Sequence, residues 1–245
     1  MKDTAESPKL SISLIIPAYN EEAYLGACLE AVQENSNGKF NEIIVVNNNS
    51  TDKTAEIAAR FPGVRVICEK KKGLVHARQC GFENAQGSIL AYIDADTLMP
   101  KGWPEQIEEY FSADPELACL SGPYKYYDIP ARHQFVVSFW YWMARPTYYV
   151  LGYMATGGNI ALRKSVVEKM NGFDTSIAFY GEDTDIAKRA HSFGKVVFTS
   201  KFIMPTSARR FKKEGLFKIG GTYLVNFLST ALVGRPINQR YTDVR

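Results

Sequence analysis

The chain has 245 residues, enough for one large α/β domain or one domain with a small appendage. Hydrophobic residues make up 46% and charged residues 22%, which excludes a largely disordered chain, and a net charge of +3 is too small to imply nucleic acid as a partner. Charge is uneven: from Lys195 onward ten Lys or Arg stand against Glu214 and Asp243, a net +8 on a body of net −5, so the basic end suits an anionic partner or a solvated face.

No stretch reads as a transmembrane helix. Residues 135–154 are aromatic-rich but hold Arg145 and Pro146, and the uncharged run 219–234 is shorter than the roughly 20 residues a span needs. Cys28, Cys68, Cys80 and Cys119 are scattered without metal-type spacing and read as buried free thiols. The first ten residues carry acidic groups and no apolar run, unlike a signal peptide. Together these features predict a reducing, cytoplasmic setting.

The first hundred residues alternate strand and helix. Residues 11–16 (SISLII) form a short apolar run closed by Pro17, a buried strand. Residues 20–34 place Leu25, Cys28, Leu29 and Val32 at helical spacing. A strand follows at 42–46, a helix at 52–60 with Ser50 or Thr51 as cap, and a strand at 64–68. A third helix spans 74–85 and a fourth strand 88–93. Beyond that the pattern is looser: a strand at 117–123, a partly helical aromatic run at 133–154, loop then strand at 156–162, and a helix at 182–193 stopped by Gly194. Apolar strands alternating with helices predict an α/β fold with a mainly parallel sheet covered on both faces. Ligands of such sheets bind beyond the carboxyl ends of the strands, where Asn20, Asn47 to Asn49 and Asp94 to Asp96 all fall.

Asp94 and Asp96 flank Ala95 at the end of the fourth strand. Two carboxylates one residue apart suit a hard cation such as Mg²⁺ or Mn²⁺ shared with substrate phosphates, or else an Asx turn. Glu182 and Asp183 open a helix after Phe179, Tyr180 and Gly181, where a carboxylate takes a proton from an attacking hydroxyl or simply enriches a first helical turn. Gly157 and Gly158 admit close backbone approach to a ligand, or make a tight turn. Arg78 is placed to pair with phosphate oxygens or is an ordinary surface arginine.

Taken in order, the segments 13–22 (SLIIPAYNEE), 45–52 (VVNNNSTD), Gly73 to Arg78, 94–96 (DAD), 156–159 (TGGN) and 181–183 (GED) resemble the inverting family 2 glycosyltransferases of GT-A fold, over roughly residues 10–200. The resemblance implies a nucleotide-diphospho-sugar transferase fold, Rossmann-like, with a mixed, mainly parallel sheet flanked by helices. It implies a donor site drawn from Pro17, Ala18, Tyr19, Glu21, Asn47, Asn49, Arg78, Asp94, Ala95, Asp96, Gly157 and Gly158. Within it, Pro17, Tyr19 and Glu21 line the nucleoside pocket, and Asp94 sits near the ribose or metal. Asp96 is the main ligand of Mn²⁺ or Mg²⁺, Asp183 is the general base, and Glu182 lies close to the acceptor. Many relatives carry Asp where this chain has Asn47, which leaves nucleobase choice open. A Q-x-x-R-W-type motif is absent after residue 200, which favours one transfer per encounter over processive synthesis.

The resemblance divides the chain into an N-terminal tail (1–9), a catalytic domain (10–200) and a basic amphipathic helical extension (201–245). The domain splits into a nucleotide-binding half (10–100) and an acceptor-binding half (101–200). The expected reaction moves a sugar from a nucleoside-diphosphate sugar to a hydroxyl of a carbohydrate or lipid-linked acceptor, in glycan, glycolipid or cell-envelope polysaccharide synthesis. A catalytically silent nucleotide-sugar-binding scaffold of the same fold is the alternative, and intact Asp94, Asp96, Glu182 and Asp183 argue against it. A nucleotidyltransferase is a third reading, but residues 17–20 (PAYN) are not its glycine-rich basic loop. In the extension, Leu216, Gly220, Tyr223, Leu224, Phe227, Leu228, Ala231 and Leu232 fall on one helical stripe, away from Lys218, Thr222, Asn226 and Ser229. Arg209, Arg210, Lys212 and Lys213 precede it. Such a segment lies at the inner face of an anionic membrane, packs on its own domain, or joins a homodimer, and all three stay open.

Overall fold

The structure, a computed structural model, describes residues 10–233 and residue 237; the expected tail at 1–9 lies outside them. In chain order the elements are β1 (Ile12–Ala18), α1 (Leu25–Asn35), β2 (Phe40–Asn47), α2 (Thr54–Ala59), β3 (Val64–Cys68) and α3 (Leu74–Asn84). Then come β4 (Ile89–Ile93), α4 (Trp103–Ala113), β5 (Leu117–Ser121), β6 (Tyr124–Tyr126), α5 (Ala131–Leu151) and β7 (Asn159–Arg163). The chain continues through α6 (Lys164–Lys169), α7 (Glu182–His191), β8 (Lys195–Phe198), β9 (Met204–Thr206), α8 (Arg209–Glu214) and α9 (Leu216–Val233).

Seven strands form one sheet in the order β3-β2-β1-β4-β7-β5-β8, and β6 pairs with β9 in a separate ribbon. Within the large sheet only β7 runs antiparallel to its neighbours. β1 and β4 are buried throughout and almost wholly apolar, as strands covered on both faces must be, with Ser13 donating its hydroxyl to Glu42. Alternation along β1 sends Leu14 and Ile16 to a cluster with α1 and α4, and Ile15 to a second cluster with α3, α6 and α7.

Two boundaries depart from the sequence reading for identifiable reasons. Pro17 does not end β1: it pairs in register with Val46, beyond the last β4 partner at Ile15, so its missing N–H faces no strand on that side. Neither Ser50 nor Thr51 caps α2; the Asp52 carboxylate accepts the Thr54 amide at 2.9 Å instead, and the Ser50 hydroxyl accepts the Asn20 amide at 3.0 Å. The α1 helix starts five residues late because Asn20, at φ 49°, makes a turn and gives its side-chain oxygen to the Thr51 amide. Of the four thiols, Cys68 is exposed rather than buried.

The topology gathers one rim. β1, β2 and β4 end there because they are parallel. Antiparallel β7 starts there, since Asn159 stands opposite Ile93. The N-termini of α3 and α7 face the same way, each helix leading back to a parallel strand. Trp103, fully buried at the start of α4, braces this rim: it stacks on Phe202 at 5.0 Å and donates its indole N–H to Asn159 at 2.9 Å.

Candidate active site

Two cavities open along the rim. The first, about 400 Å³, is lined by Pro17, Ala18 and Tyr19 from the end of β1, by Asn48, by the 72–77 turn into α3, and by 175–179. Asn48 builds its wall: the side-chain amide donates to the Glu69 and Lys71 carbonyls and accepts the Gly73 amide at 2.7 Å. Lys72 reaches over the Tyr19 ring at 4.0 Å. Of the neighbouring asparagines, Asn47 accepts the Ser50 amide at 3.2 Å and Asn49 is exposed at φ 59°. Both therefore shape the turn, and Asn48 is the one in the cavity wall.

The second cavity, about 320 Å³, shares Leu74 and Phe179 with the first. It brings together Arg78, Asp94, Gly157, Gly158, Glu182 and Asp183, and adds an aromatic wall of Tyr124, Tyr126, Tyr141, Tyr180 and Tyr223. Arg78 is buried, not a surface residue. Its guanidinium pairs with Glu182 and lies 3.7 Å from Asp94. Burial opposes the charge on Arg78, yet Glu182 and Asp94 hold it firmly protonated. Burial pushes the Glu182 carboxyl up, against the pull of Arg78.

The two glycines follow from this crowding. A Cβ on Gly157 would strike Glu182 and Arg78, and one on Gly158 would strike Asp94 and the Tyr124 hydroxyl. Only bare backbone fits over the cluster. Gly181, at φ 80°, makes the left-handed turn that aims the first turn of α7 into the cavity. There Asp183 takes the Thr184 amide at 2.8 Å on Oδ1, and burial raises its pKa above the ordinary Asp value. Asn159, by contrast, is internal scaffolding, bonded to Trp103, Gly122 and Phe202.

The acidic pair splits in environment. Asp94 keeps about a third of its side chain exposed (34%) and accepts the Tyr124 hydroxyl at 2.7 Å. Asp96 is buried and lies against the chain that follows β9: its carbonyl accepts the Ser207 amide, and its Oδ2 sits 2.9 Å from Arg209 Nε. Glu21 is outside the lining of the first cavity and also binds Arg209, through both carboxylate oxygens. The donor set suits a hard cation, because Asp94 opens to the cavity and Asp96 already holds a positive group. Among the described residues no set of three His, Cys, Asp or Glu is gathered to hold a metal without substrate oxygens.

In the basic cluster before α9 Arg209 and Arg210 turn inward, while Lys212 and Lys213 stay exposed. Arg210 pairs with Glu214 at 3.3 Å and covers the Phe179 ring at 4.6 Å, and Lys212 pairs with Asp128 at 2.8 Å. On α9 Gly220, Tyr223 and Phe227 of the expected stripe line the second cavity, and two residues placed off the stripe also turn inward. Asn226 and Ser229 are buried with Ile219 and Thr230, while Tyr223 is 41% exposed and borders the cavity. Asn226 tolerates burial because its amide donates to the Thr222 carbonyl one turn back. The side chains of Leu216, Leu224, Leu228, Ala231 and Leu232 lie outside the described residues, as do those of Phe139, Trp140 and Trp142. Among the described residues no helix is long and apolar enough to cross a membrane.

Residues 13–170 match the family model described as glycosyl transferase family 2. The chain belongs to glycosyl transferase family 2. Among curated relatives it is 29% identical over 212 residues to "Probable glycosyltransferase YdaM" of Bacillus subtilis (strain 168), covering 77% of this chain and 48% of that one. It is 37% identical over 101 residues to "Glycosyltransferase AglE" of Haloferax volcanii, covering 39% and 33%. The chain thus spans about half the length of the first relative. The fold is shared with the mannosyltransferase PcManGT from Pyrobaculum calidifontis, solved with GDP-Man and Mn²⁺ (TM-score 0.69, 21% identity, 92% of this chain and 65% of that one). It is also shared with glucosyl-3-phosphoglycerate synthase of Mycobacterium tuberculosis, solved with Mn²⁺, UDP and phosphoglyceric acid (TM-score 0.65, 17% identity, 91% and 78%). The architecture is the mixed, mainly parallel GT-A fold.

Rim residues outside the expected set include Tyr124, Tyr126, Tyr180, Tyr223, Asn48 and Arg209. Asn48 stood inside a quoted motif, so an Asn run at a strand end was its signal. Arg209 had only a weak one: Glu21 and Asp96 need a cation if buried, and nothing local tells which.

Proposed function

We propose that the chain is an inverting glycosyltransferase acting on a nucleoside-diphosphate sugar and a carbohydrate-type hydroxyl. The observation that carries this reading is the meeting of two cavities at Leu74 and Phe179, with Asp94 and Asp183 both on the second. The nucleoside occupies the first cavity, and the diphosphate crosses at Asp94 beside Arg78. The sugar and the attacking hydroxyl occupy the second, where tyrosine rings offer stacking faces to sugar rings. The structures of PcManGT with GDP-Man and Mn²⁺ and of the phosphoglycerate-linked synthase with Mn²⁺ and UDP support this placement by fold.

The acceptor oxygen forms its bond to the anomeric carbon as the bond to the diphosphate oxygen breaks, and configuration inverts. The hydroxyl proton passes to Asp183, and the nucleoside diphosphate leaves. Asp183 suits the base role better than Glu182, whose carboxylate is committed to Arg78. Its raised pKa also strengthens it as a base. A divalent cation on Asp94 and Asp96 would neutralise charge on the departing diphosphate. Arg78 contributes positive charge beside Asp94 and orients Glu182. The glycine pair lets backbone lie against the reacting sugar.

Asp183→Asn should keep donor binding while losing about 10²- to 10⁴-fold in turnover, the usual share of a general base. Near wild-type turnover in that variant would remove the base assignment. The anomeric configuration of the product, read by NMR, should be opposite to the donor's.

A further inference from the structure

Arg209 ties the donor rim to the C-terminal helices. Its Nη1 and Nη2 donate to the two Glu21 oxygens at 2.7 and 2.6 Å, across 188 residues of chain. Its Nε lies 2.9 Å from Asp96 Oδ2, and its guanidinium carbon sits 4.7 Å from the centre of the Tyr24 ring. The other Asp96 oxygen, Oδ1, takes the Thr206 hydroxyl at 3.4 Å. Burial disfavours the Arg209 charge, but Glu21 and Asp96 keep it protonated. A planar fork of this kind satisfies buried carboxylates with little loss of freedom.

A metal ion on Asp96 would share that carboxylate with this guanidinium, and two cations on one carboxylate repel each other. We propose that Arg209 is a tethered cation that holds Asp96 before donor arrives, and that a divalent cation entering with the donor diphosphate displaces it. The proposal rests on the metal-assisted reading of Asp94 and Asp96.

Displacement would not stay local. Arg209 is the first residue of α8, and Phe211 on the same helix packs edge-on against Tyr126 at 4.9 Å. Phe211 lines the second cavity together with Gly220, Tyr223, Asn226 and Phe227 from α9. Arg210 covers Phe179, which borders both cavities. Gly215, at φ 90°, joins α8 to α9 in a conformation other residues resist. Release of Arg209 would therefore reshape the second cavity through Phe211 and Arg210.

The test is Mn²⁺ binding without nucleotide, read by electron paramagnetic resonance of the free ion. Wild type, Arg209→Lys and Arg209→Gln are compared, with near-ultraviolet circular dichroism to verify folding. Arg209→Gln should bind Mn²⁺ at least about fivefold more tightly than wild type, the low end of ordinary coupling. Arg209→Lys, which keeps the charge but not the fork, should stay near wild type. In wild type, Mn²⁺ with UDP or GDP should speed amide hydrogen exchange across 209–214. Folded Arg209→Gln with unchanged or weaker Mn²⁺ binding would overturn the displacement. Asp96→Asn separates the two levels. Mn²⁺ binding that depends on Asp96 but not on Arg209 sinks only this proposal. Binding indifferent to Asp96 removes the metal reading as well.

Discussion

Arg78 on α3 and Glu182 at the start of α7 form a buried ion pair between residues 104 apart in the chain, with Asp94 on the other side of the guanidinium. The pair joins α3, which follows β3, to the start of α7, which carries Asp183. Positioning of the candidate base is thus linked to the fold's stability.

Replacing Arg78 by Met would leave Glu182 buried without a counter-charge. Loss of one partner of a buried pair costs about 3–5 kcal/mol. For a chain of this length that lowers the melting temperature by roughly 6–20 °C. Glu182→Gln should cost less, because a neutral amide can still accept from the guanidinium. Thermal denaturation of both variants checks the order.

Gly158→Ala should abolish transfer more than it destabilises the fold. The new methyl meets Asp94 and the Tyr124 hydroxyl, so the acidic side chain must move out of line. Overpacking of this kind costs about 1–3 kcal/mol. The check is nucleotide affinity by calorimetry alongside the melting temperature: affinity should collapse while the protein remains folded at 25 °C.

Asp183 gives a pH signature in stability as well as in rate. Its folded pKa is raised above the ordinary Asp value, first by burial. The folded state therefore holds a proton that the unfolded state releases earlier, and stability falls as pH climbs through that window. Asp183→Asn should accordingly raise the melting temperature at pH 8, with the gain vanishing below the ordinary Asp range. In the active enzyme the sign is opposite: turnover is lost as pH falls and the base is protonated, and this acid limb disappears in Asp183→Asn.

Asn159 sits in a segment that the sequence reading linked to ligand, yet its side chain serves Trp103, Gly122 and Phe202. Asn159→Ala would leave buried groups unsatisfied at about 1–3 kcal/mol each. The melting temperature should drop, while kcat/KM of the folded fraction at low temperature changes little. A selective loss of kcat/KM with intact stability would instead make Asn159 a donor contact.

The alternation of β1 to β4 with α1 to α3 was legible because β1, β2 and β4 carry apolar runs and α1 buries Leu25, Cys28, Leu29 and Val32 at helical spacing. The rim position of Asn47 to Asn49 and Asp94 to Asp96 followed from strand ends, whereas the place of Pro17 in the site rested on the family resemblance. What stayed hidden was set by distance. Three-residue β6 and β9 are too short for periodicity, yet the bridge between Thr97 and Thr206 lays the chain after β9 along the acidic loop and delivers Arg209 to Asp96. On α9, Asn226 and Ser229 were placed outward because polar residues are usually solvated. In-helix hydrogen bonding let Asn226 face inward.

The most direct measurement is thermal stabilisation by UDP, GDP, CDP and dTDP, with and without Mn²⁺, on wild type and Asp96→Asn. A ligand at about a hundred times its dissociation constant adds about 2.7 kcal/mol. For this chain length that is roughly 5–10 °C. One nucleotide should produce a manganese-dependent shift of that size, lost in Asp96→Asn, and would name the base that the first cavity selects. Absence of any shift with all four nucleotides would contradict a donor site on this rim and favour the silent-scaffold reading.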